Sequence, residues 1–279
     1  MVGITVSADD RALSPAQRTE GTVAIVTEWR DGAVRLGRLR QQGSLKALLP
    51  AHHQEHALGA VLLNTAGGLT GGDRMRVAIE AGARCRMVVS TQSAERVYRS
   101  AHGAAVVETD LRVAAGGRLD WLPQETILYD GGVLDRRLSL DLTLGGRVLL
   151  VEPMVIGRRA MGERVRTATL RDHWEVRQDG RLLFADCLLI EGKAWASLGS
   201  PGTLAGANAW ASLALLAPEA SALLPRLRRL LPASAGASLV REGVLFARIL
   251  AEDGFQLREA LLPAIECLAG GPLPKVWRL

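Results

Sequence analysis

Alternating apolar and polar residues dominate the middle of the chain, between residues 74 and 153. Three segments alternate there, and each runs through a glycine turn that ends in arginine into a short, largely apolar run. The alternating segments are residues 75–80, 107–113 and 138–144, the turns are Gly82-Ala83-Arg84, Gly116-Gly117-Arg118 and Gly145-Gly146-Arg147, and the apolar runs are residues 87–89, 119–122 and 148–151.

This pattern predicts stacked β-structure. Alternation with a period of two is typical of strands with one exposed face, and apolar runs are typical of strands buried on both faces. The arginines of the three turns lie 34 and 29 residues apart, a spacing at which one supersecondary unit stacks on the next. We therefore predict a mainly β fold of stacked, layered, β-helix-like sheets. Equivalent positions in successive units should then lie close together.

Other strands flank these units. Asp31-Gly32 separates two alternating segments and predicts a hairpin. Strands are predicted at residues 165–176 and 182–190, joined through Gln178-Asp179-Gly180. Residues 41–50, which contain Gly43-Ser44 and Pro50, are predicted as a loop.

Helical spacing of leucines replaces alternation near the C-terminus. One helix is predicted between Pro218 and Pro232, and a second begins at Asp253 as its N-cap and ends before Gly270-Gly271. Strands at 237–241 and 244–250 separate the two helices.

The chain is accordingly divided into three parts. Residues 1–20 are expected to be a flexible N-terminal segment, and residues 21–200 a layered β body with internal repeats. Residues 201–279 are expected to form a small C-terminal α/β capping layer that carries both helices and is not an independent domain.

Composition narrows the class of protein. The chain has 279 residues, of which 48% are hydrophobic, enough for a sizeable core. The longest weakly polar stretch, residues 209–217, is too short to cross about 30 Å of hydrocarbon as a helix. The first 18 residues contain no apolar run, so they do not resemble a signal peptide. We expect a cytoplasmic protein without a membrane anchor.

Charge and cysteine content exclude two further classes. The net charge is +5, but the arginines form no run and aromatic residues make up only 4%, which argues against a nucleic-acid surface. Scattered arginines suit contacts with acidic protein partners. Cys85, Cys187 and Cys267 form no Cys-x-x-Cys pair, which argues against a disulfide framework and a structural zinc site.

A glycine-rich loop follows the apolar residues 61–63. Gly67, Gly68, Gly71 and Gly72 mark a backbone path that side chains would block, and Asp73 closes the loop. Asp73 stands where a phosphate-binding loop would carry lysine, so nucleotide binding is rejected. A turn between two strands and a functional loop both remain open.

Acidic side chains end the apolar runs or interrupt them. Glu95, Gln124-Glu125 and Glu152 follow the three runs, and Asp186 lies within the apolar segment 182–190. Buried carboxylates are costly unless they are paired, hydrogen-bonded or facing water. The acids either line one path or form a solvated surface row.

No catalytic motif accompanies these acids. The sequence contains no nucleophile elbow, His-Glu-x-x-His or phosphate-binding loop. His52, His53 and His56 lie close together, but a surface turn explains them better than a metal site because no acid or cysteine cluster surrounds them.

Four segments resemble one protein family in order and spacing. They are LLNTAGGLTGGD (62–73), STQSAERVYRS (90–100), WLPQETILYDG (121–131) and IGRRAMGE (156–163), and the closing PKVWRL (274–279) fits the same pattern. This combination is similar to the urease accessory protein family UreD, called UreH in some organisms.

The resemblance implies a function. UreD proteins act as non-catalytic chaperones that bind apo-urease, recruit UreF and, through it, UreG, and help convey nickel to the urease active site. The chain is therefore expected to be no enzyme and to hold Ni²⁺ only transiently, without a tightly bound cofactor. Dimerisation within the accessory complex is left open.

The family pattern also has acids at positions that fit a nickel passage. Asp73, Glu152 and Asp186 are the candidates, with Glu125 as a fourth. Spaced carboxylates without thiolate clusters suit cation transfer better than storage. The alternative for each acid is an ion pair with an arginine such as Arg84, Arg118 or Arg147. A docking scaffold without ion passage, and a metal-dependent enzyme that uses these acids with the three histidines, are the rival functions.

Overall fold

The repeated units form the coils of a two-sheet β-structure. A computed structural model describes residues 18–50, 57–158 and 161–278, apart from the side chains of residues 193 and 194. Strands make up 53% of the chain and helices 14%, and the sheets stack in a solenoid-like arrangement. The predicted mainly β, layered fold is confirmed. The three histidines at 52, 53 and 56 lie outside the described residues.

Two sheets contain all the strands of the described ranges. The seven-stranded sheet contains β1 (Glu20–Arg30), β2 (Ala33–Gly43), β5 (Arg74–Ala81), β8 (Ala105–Val113), β11 (Val133–Leu142), β13 (Thr169–Gln178) and β14 (Arg181–Ile190). The ten-stranded sheet contains β3 (Leu45–Leu48), β4 (Ala57–Asn64), β6 (Arg86–Thr91), β7 (Glu95–Val97), β9 (Arg118–Leu122), β10 (Thr126–Leu128), β12 (Arg147–Ile156), β15 (Ala209–Leu216), β16 (Ala235–Arg241) and β17 (Val244–Ala251).

The chain alternates between the two sheets as it coils. Each alternating segment lies in the seven-stranded sheet, where β5, β8, β11 and β13 pair in parallel. Each apolar run lies in the ten-stranded sheet, where β6, β9 and β12 pair in parallel. The short strands β7 and β10 follow these runs; β10 pairs in parallel with both β7 and β12. Successive units therefore sit side by side, as their period predicts.

Three layers explain the burial of each strand type. The inward faces of the two sheets enclose one apolar core. A second core lies on the other side of the ten-stranded sheet, under the helices α1 (Ala220–Leu230) and α2 (Gly254–Ala269). The ten-stranded sheet is thus covered on both faces, whereas the seven-stranded sheet exposes every second residue, as in β5.

Local chemistry accounts for several element boundaries. Asp31 and Gly32 have φ of 54° and 73°, the two positive values that a two-residue hairpin turn requires. Asp253 caps α2, because its Oδ1 accepts the backbone N–H of Gln256 at 2.9 Å. Gly270 ends α2 in the left-handed conformation. These turns and caps were predicted from the sequence.

One sequence interpretation was wrong. Residues 41–50 are not a loop, because β2 continues to Gly43 and β3 follows at Leu45–Leu48. The chain crosses between the sheets at Gly43, where a Cβ atom would lie 1.9 Å from the carbonyl oxygen of Glu20. Residues 209–216, considered only as too short for a membrane span, form the fully buried strand β15. None of the helices in the described ranges is long and apolar enough to cross a membrane.

A row of arginines in the ten-stranded sheet binds the C-terminal end of helix α2. Arg86, Arg118 and Arg147 occupy equivalent positions in β6, β9 and β12, and all three contact the buried carboxylate of Asp120. Arg118 and Arg147 also donate to the carbonyl oxygens of Ala269 and Leu268 at the C-terminal end of α2. This end of a helix favours cations. The row therefore joins the β body to the capping layer.

The C-terminal Trp277 should contribute strongly to stability. Its side chain is 1% exposed, packs in the second core and donates its indole N–H to the carbonyl oxygen of Leu122 at 3.0 Å. We expect Trp277→Ala to lower the free energy of unfolding by about 3–5 kcal/mol, because it leaves a cavity and an unpaired carbonyl. Urea unfolding measures the change.

Phe255 provides the matched control, because this aromatic residue is 72% exposed. Phe255→Ala should change the free energy of unfolding by no more than about 0.5 kcal/mol. Equal effects of the two substitutions would show that Trp277 is not part of the core.

Candidate functional site

A cavity of about 150 Å³ lies between the two sheets, next to the glycine loop. Its walls are mostly apolar, but they include a set of polar side chains: Asn64, Glu95, Thr109, Thr126, Arg136 and Glu152. Gly67, Ser93 and Arg96, which are exposed, also line it. The cavity therefore reaches from the surface near the glycine loop to buried carboxylates inside the fold.

Glu152 is the buried carboxylate at the inner part of this cavity. It accepts the indole N–H of Trp121 at 2.9 Å and an Nη1–H of Arg136 at 2.5 Å. Glu152 and Arg136 are each 5% exposed. Burial raises the pKa of the Glu152 carboxyl above its ordinary value, and the Arg136 guanidinium opposes that rise.

Arg136 is shared between two acids. Besides Glu152, it donates to both carboxylate oxygens of Asp172, at 3.0 and 2.5 Å. One buried guanidinium thus serves two carboxyl groups. Arg136 and Asp172 face each other across β11 and β13 and point inward.

Glu95 adds a further carboxyl to the cavity wall. It accepts hydrogen bonds from the side-chain amide of Asn64 and from the backbone N–H of Arg96, both at 3.1 Å. Burial raises the pKa of Glu95, and the negative charge of Asp73 adds to the rise, while the hydrogen bonds oppose it. A raised pKa means that this carboxyl holds its proton more tightly than an ordinary glutamate, so a cation that binds it has to displace the proton.

Asp73 holds the glycine loop in place. Its two carboxylate oxygens accept the backbone N–H groups of Thr19 and Thr70, each at 2.8 Å. The loop needs its glycines, because a Cβ on Gly68 would lie 2.3 Å from the Tyr98 ring, and one on Gly71 would lie 2.3 Å from the His102 carbonyl. The backbone therefore passes close to its neighbours, as the two Gly-Gly pairs predicted.

Asp186 and Glu125 pair with arginines elsewhere. Arg248 donates to Asp186 at 2.5 Å and lies within 3.3 Å of the Ser212 hydroxyl. Arg258 donates to both oxygens of Glu125, at 2.6 and 2.9 Å. Neither acid lines the cavity. The structure thus brings Glu152 and Glu95 to one cavity, and it places Asp186 and Glu125 in separate ion pairs.

The pairing arginines differ from those considered from the sequence. Glu152, Asp186 and Glu125 contact Arg136, Arg248 and Arg258. Arg118 and Arg147 contact Asp120 instead. Among the residues that the structure describes, no three His, Cys, Asp or Glu side chains lie close enough to hold a metal ion.

Sequence reasoning missed Arg136 and Asp172. Both residues interrupt an alternating pattern at a position where the other inward side chains are apolar, such as Leu134 and Leu138 in β11. A charged residue in the apolar half of a period-two pattern is therefore the signal that identifies this pair.

Comparison with known proteins identifies the family. The UreD urease accessory protein family matches residues 19–278. The chain belongs to this family. The relative in Ruegeria pomeroyi, named urease accessory protein UreD, is 47% identical over 245 residues, which cover 88% of this chain and 95% of that protein. The UreD protein of Rhizobium leguminosarum bv. viciae is 42% identical over 276 residues, 99% of each chain.

A third UreD protein, from Agrobacterium fabrum, is 43% identical over 264 residues and covers 94% of this chain and 92% of its own length. The resemblance noted in the four sequence segments is thus confirmed over nearly the whole chain. The glycine loop and the cavity walls fall within the matched residues of the UreD family.

The raised pKa of Glu95 predicts that ionisation of this side chain lowers the stability of the folded chain as the pH rises. Below the ordinary pKa of glutamate, about 4.3, the carboxyl is protonated in both folded and unfolded chains. As the pH rises through the interval up to the raised folded pKa, the unfolded chain ionises first, so stability is lost. The variant Glu95→Gln does not ionise and so does not lose this stability. As the pH rises, its free energy of unfolding should therefore increase relative to that of the wild type, by about 1.4 kcal/mol for each unit by which the pKa of Glu95 is raised.

Urea unfolding of both proteins between about pH 4 and pH 8 measures this difference. The stability difference at the lowest pH is the internal control. Glu95 is protonated there in both folded and unfolded chains, so this difference reflects only the structural effect of the amide. A difference in stability that stays constant with pH would show that Glu95 is not buried as described.

Proposed function

We propose that this chain is a non-catalytic chaperone of urease maturation that acts in the cytoplasm. It binds apo-urease and, together with UreF and UreG, conveys nickel to the urease active site. Membership of the UreD family supports the urease part, since the relatives are named urease accessory proteins. The nickel part rests on one observation, the surplus of carboxylates around the buried cavity.

The surplus suits a passing divalent cation. Glu152, Asp172 and Glu95 lie at or beside the cavity, and within the described part of the chain Arg136 supplies the only guanidinium bonded to this group. Oxygen ligands that bind weakly and in sequence let a cation move on, whereas paired thiolates would trap it. The cavity of about 150 Å³ also exceeds the roughly 30 Å³ share of one liquid water. It has room for a partly hydrated ion.

We place the passage at Glu152 and Glu95. Asp73 lies at the end of the loop beside the cavity, and its negative charge helps to raise the pKa of Glu95. Asp73 stays a prediction of a passage residue, whereas Asp186 and Glu125 pair with arginines away from this cavity and have no part in the passage proposed here. Nickel is cargo in this proposal and not a resident cofactor.

A docking scaffold without ion passage is the second candidate. The observation that favours it is the arginine partner of Glu152, Asp186 and Glu125. A paired carboxylate has fewer free lone pairs for a cation. Under this alternative, only surface residues matter for urease activation.

Glu152→Gln distinguishes the two functions. The amide keeps the shape and the acceptor of Glu152 but removes its charge, so urease activation should fall by on the order of tenfold, the scale on which lost metal-orienting groups reduce metal-dependent activity. Cells that co-express urease and its accessory proteins provide the readout. Urease activity and the nickel content of purified urease are both measured, and co-purification of UreF shows whether the complex assembles.

Glu125→Gln is the matched control. Glu125 is 6% exposed and paired with an arginine, as Glu152 is, but it does not line the cavity. This variant should retain urease activation, and any loss would measure the cost of breaking a buried ion pair. Full activation by Glu152→Gln, in an intact complex, would reject passage through this cavity.

A further inference from the structure

A basic depression lies on the surface beside the glycine loop. It has a volume of about 800 Å³ and is formed by three segments that follow β7, β10 and β12. These strands pair side by side, so the segments that leave them meet. We call this depression the basic bowl, and its residues are Tyr98, Arg99, Tyr129, Asp130, Arg158, Gly162, Glu163, Arg164 and Arg166.

Both acids of the basic bowl are bonded within it. Asp130 accepts the backbone N–H groups of Arg166 and Thr167 and pairs with Arg99 at 2.8 Å. Glu163 pairs with Arg158 at 2.9 Å and accepts the backbone N–H of Arg158. The acids therefore fix the shape of the basic bowl and offset only two of its four arginines.

Arg164 and Arg166 supply the remaining positive charge. Both are exposed. Among the described residues, neither guanidinium has a hydrogen bond or an ion pair. The basic bowl thus presents two unpaired guanidinium groups to the solvent, in a frame that is already ordered.

The floor and rim of the basic bowl contain residue types that are enriched in protein interfaces. The rings of Tyr98 and Tyr129 meet edge to face at 5.2 Å, and Arg158 lies 4.4 Å from the centre of the Tyr129 ring. Tyr98 is 40% exposed, and the neighbouring Met161 is 77% exposed. Tyrosine, methionine and arginine are the residues that protein interfaces enrich.

The basic bowl adjoins the surface end of the cavity. The Tyr98 hydroxyl donates to the Gly67 carbonyl at 3.3 Å, and the Tyr98 backbone N–H donates to Leu69 at 2.8 Å. Gly67 and Leu69 both line the cavity. A protein seated in the basic bowl would therefore stand next to the opening, while unpaired arginines repel a free divalent cation.

We propose that the basic bowl docks an acidic segment of the protein partner that delivers nickel. This inference rests on the proposed function. Carboxylates of the segment pair with Arg164 and Arg166, and its apolar residues cover Tyr98 and Met161. Docking neutralises the positive charge beside the cavity at the moment when the cation is handed over.

The test is the charge-reversal variant Arg164→Glu/Arg166→Glu. The matched control is Arg35→Glu/Arg38→Glu, which reverses two exposed arginines on β2. Each tagged chain is co-expressed with UreF and UreG, and the retained partners are quantified through washes of rising salt. Retention of purified apo-urease is measured separately, and thermal unfolding checks the fold of each variant.

We expect the bowl variant to retain on the order of tenfold less UreF–UreG than the wild type, because like charges replace attraction. The neutral variant Arg164→Gln/Arg166→Gln should retain an amount of UreF–UreG between those of the charge-reversal variant and the wild type. The β2 control should retain as much as the wild type. All variants should retain apo-urease.

Four results would overturn the inference. A folded bowl variant could retain as much UreF–UreG as the wild type, or the β2 control could lose as much UreF–UreG as the bowl variant. The bowl variant could lose only apo-urease, or inorganic phosphate could release UreF–UreG from the wild type more strongly than chloride of equal ionic strength. The last would assign the basic bowl to a phosphate. A wild-type chain that retains no partner and activates no urease would refute the proposed function itself, which separates the two failures.

Discussion

The lateral register of the parallel strands is the constraint on which the rest of this structure depends. It places equivalent residues of successive coils side by side, so one position repeated along the chain becomes a row in space. Arg86, Arg118 and Arg147 form such a row, and together with Asp120 they hold the helical layer. The segments after β7, β10 and β12 meet for the same reason.

The core between the two sheets contains a group of charged side chains that is costly to bury. Burying a carboxylate or a guanidinium costs several kcal/mol unless the charges pair and their hydrogen bonds are satisfied. Arg136 meets that condition by bonding Glu152 and Asp172 at once, so that one guanidinium serves two carboxyl groups. Apolar side chains of similar size would make a more stable core. The group beside the cavity therefore fits the proposed passage of a cation better than a role in stability.

Opposite charges lie on the two sides of the glycine loop. Carboxyl groups face the cavity, and the basic bowl outside it contains Arg164 and Arg166, which have no ion-pair partner among the described residues. Such an arrangement repels free cations at the surface and attracts acidic proteins, while the interior favours a cation once it has entered. Tyr98 contacts both regions, because its hydroxyl donates to the Gly67 carbonyl and its ring meets that of Tyr129 edge to face. The proposed docking surface and the proposed passage are therefore connected through one residue.

The sequence by itself determined the layered β fold, the hairpin at Asp31-Gly32 and the capped helix at Asp253, because period-two alternation, positive φ and N-capping depend on neighbouring residues. It also located Glu95 and Glu152 at the ends of apolar runs. Only the tertiary structure decided which arginine meets which acid, since the register between distant strands sets these pairs: Glu125 and Arg258 are 133 positions apart. For the same reason, the path of residues 41–48 between the sheets and the shared role of Arg136 emerged only from the fold.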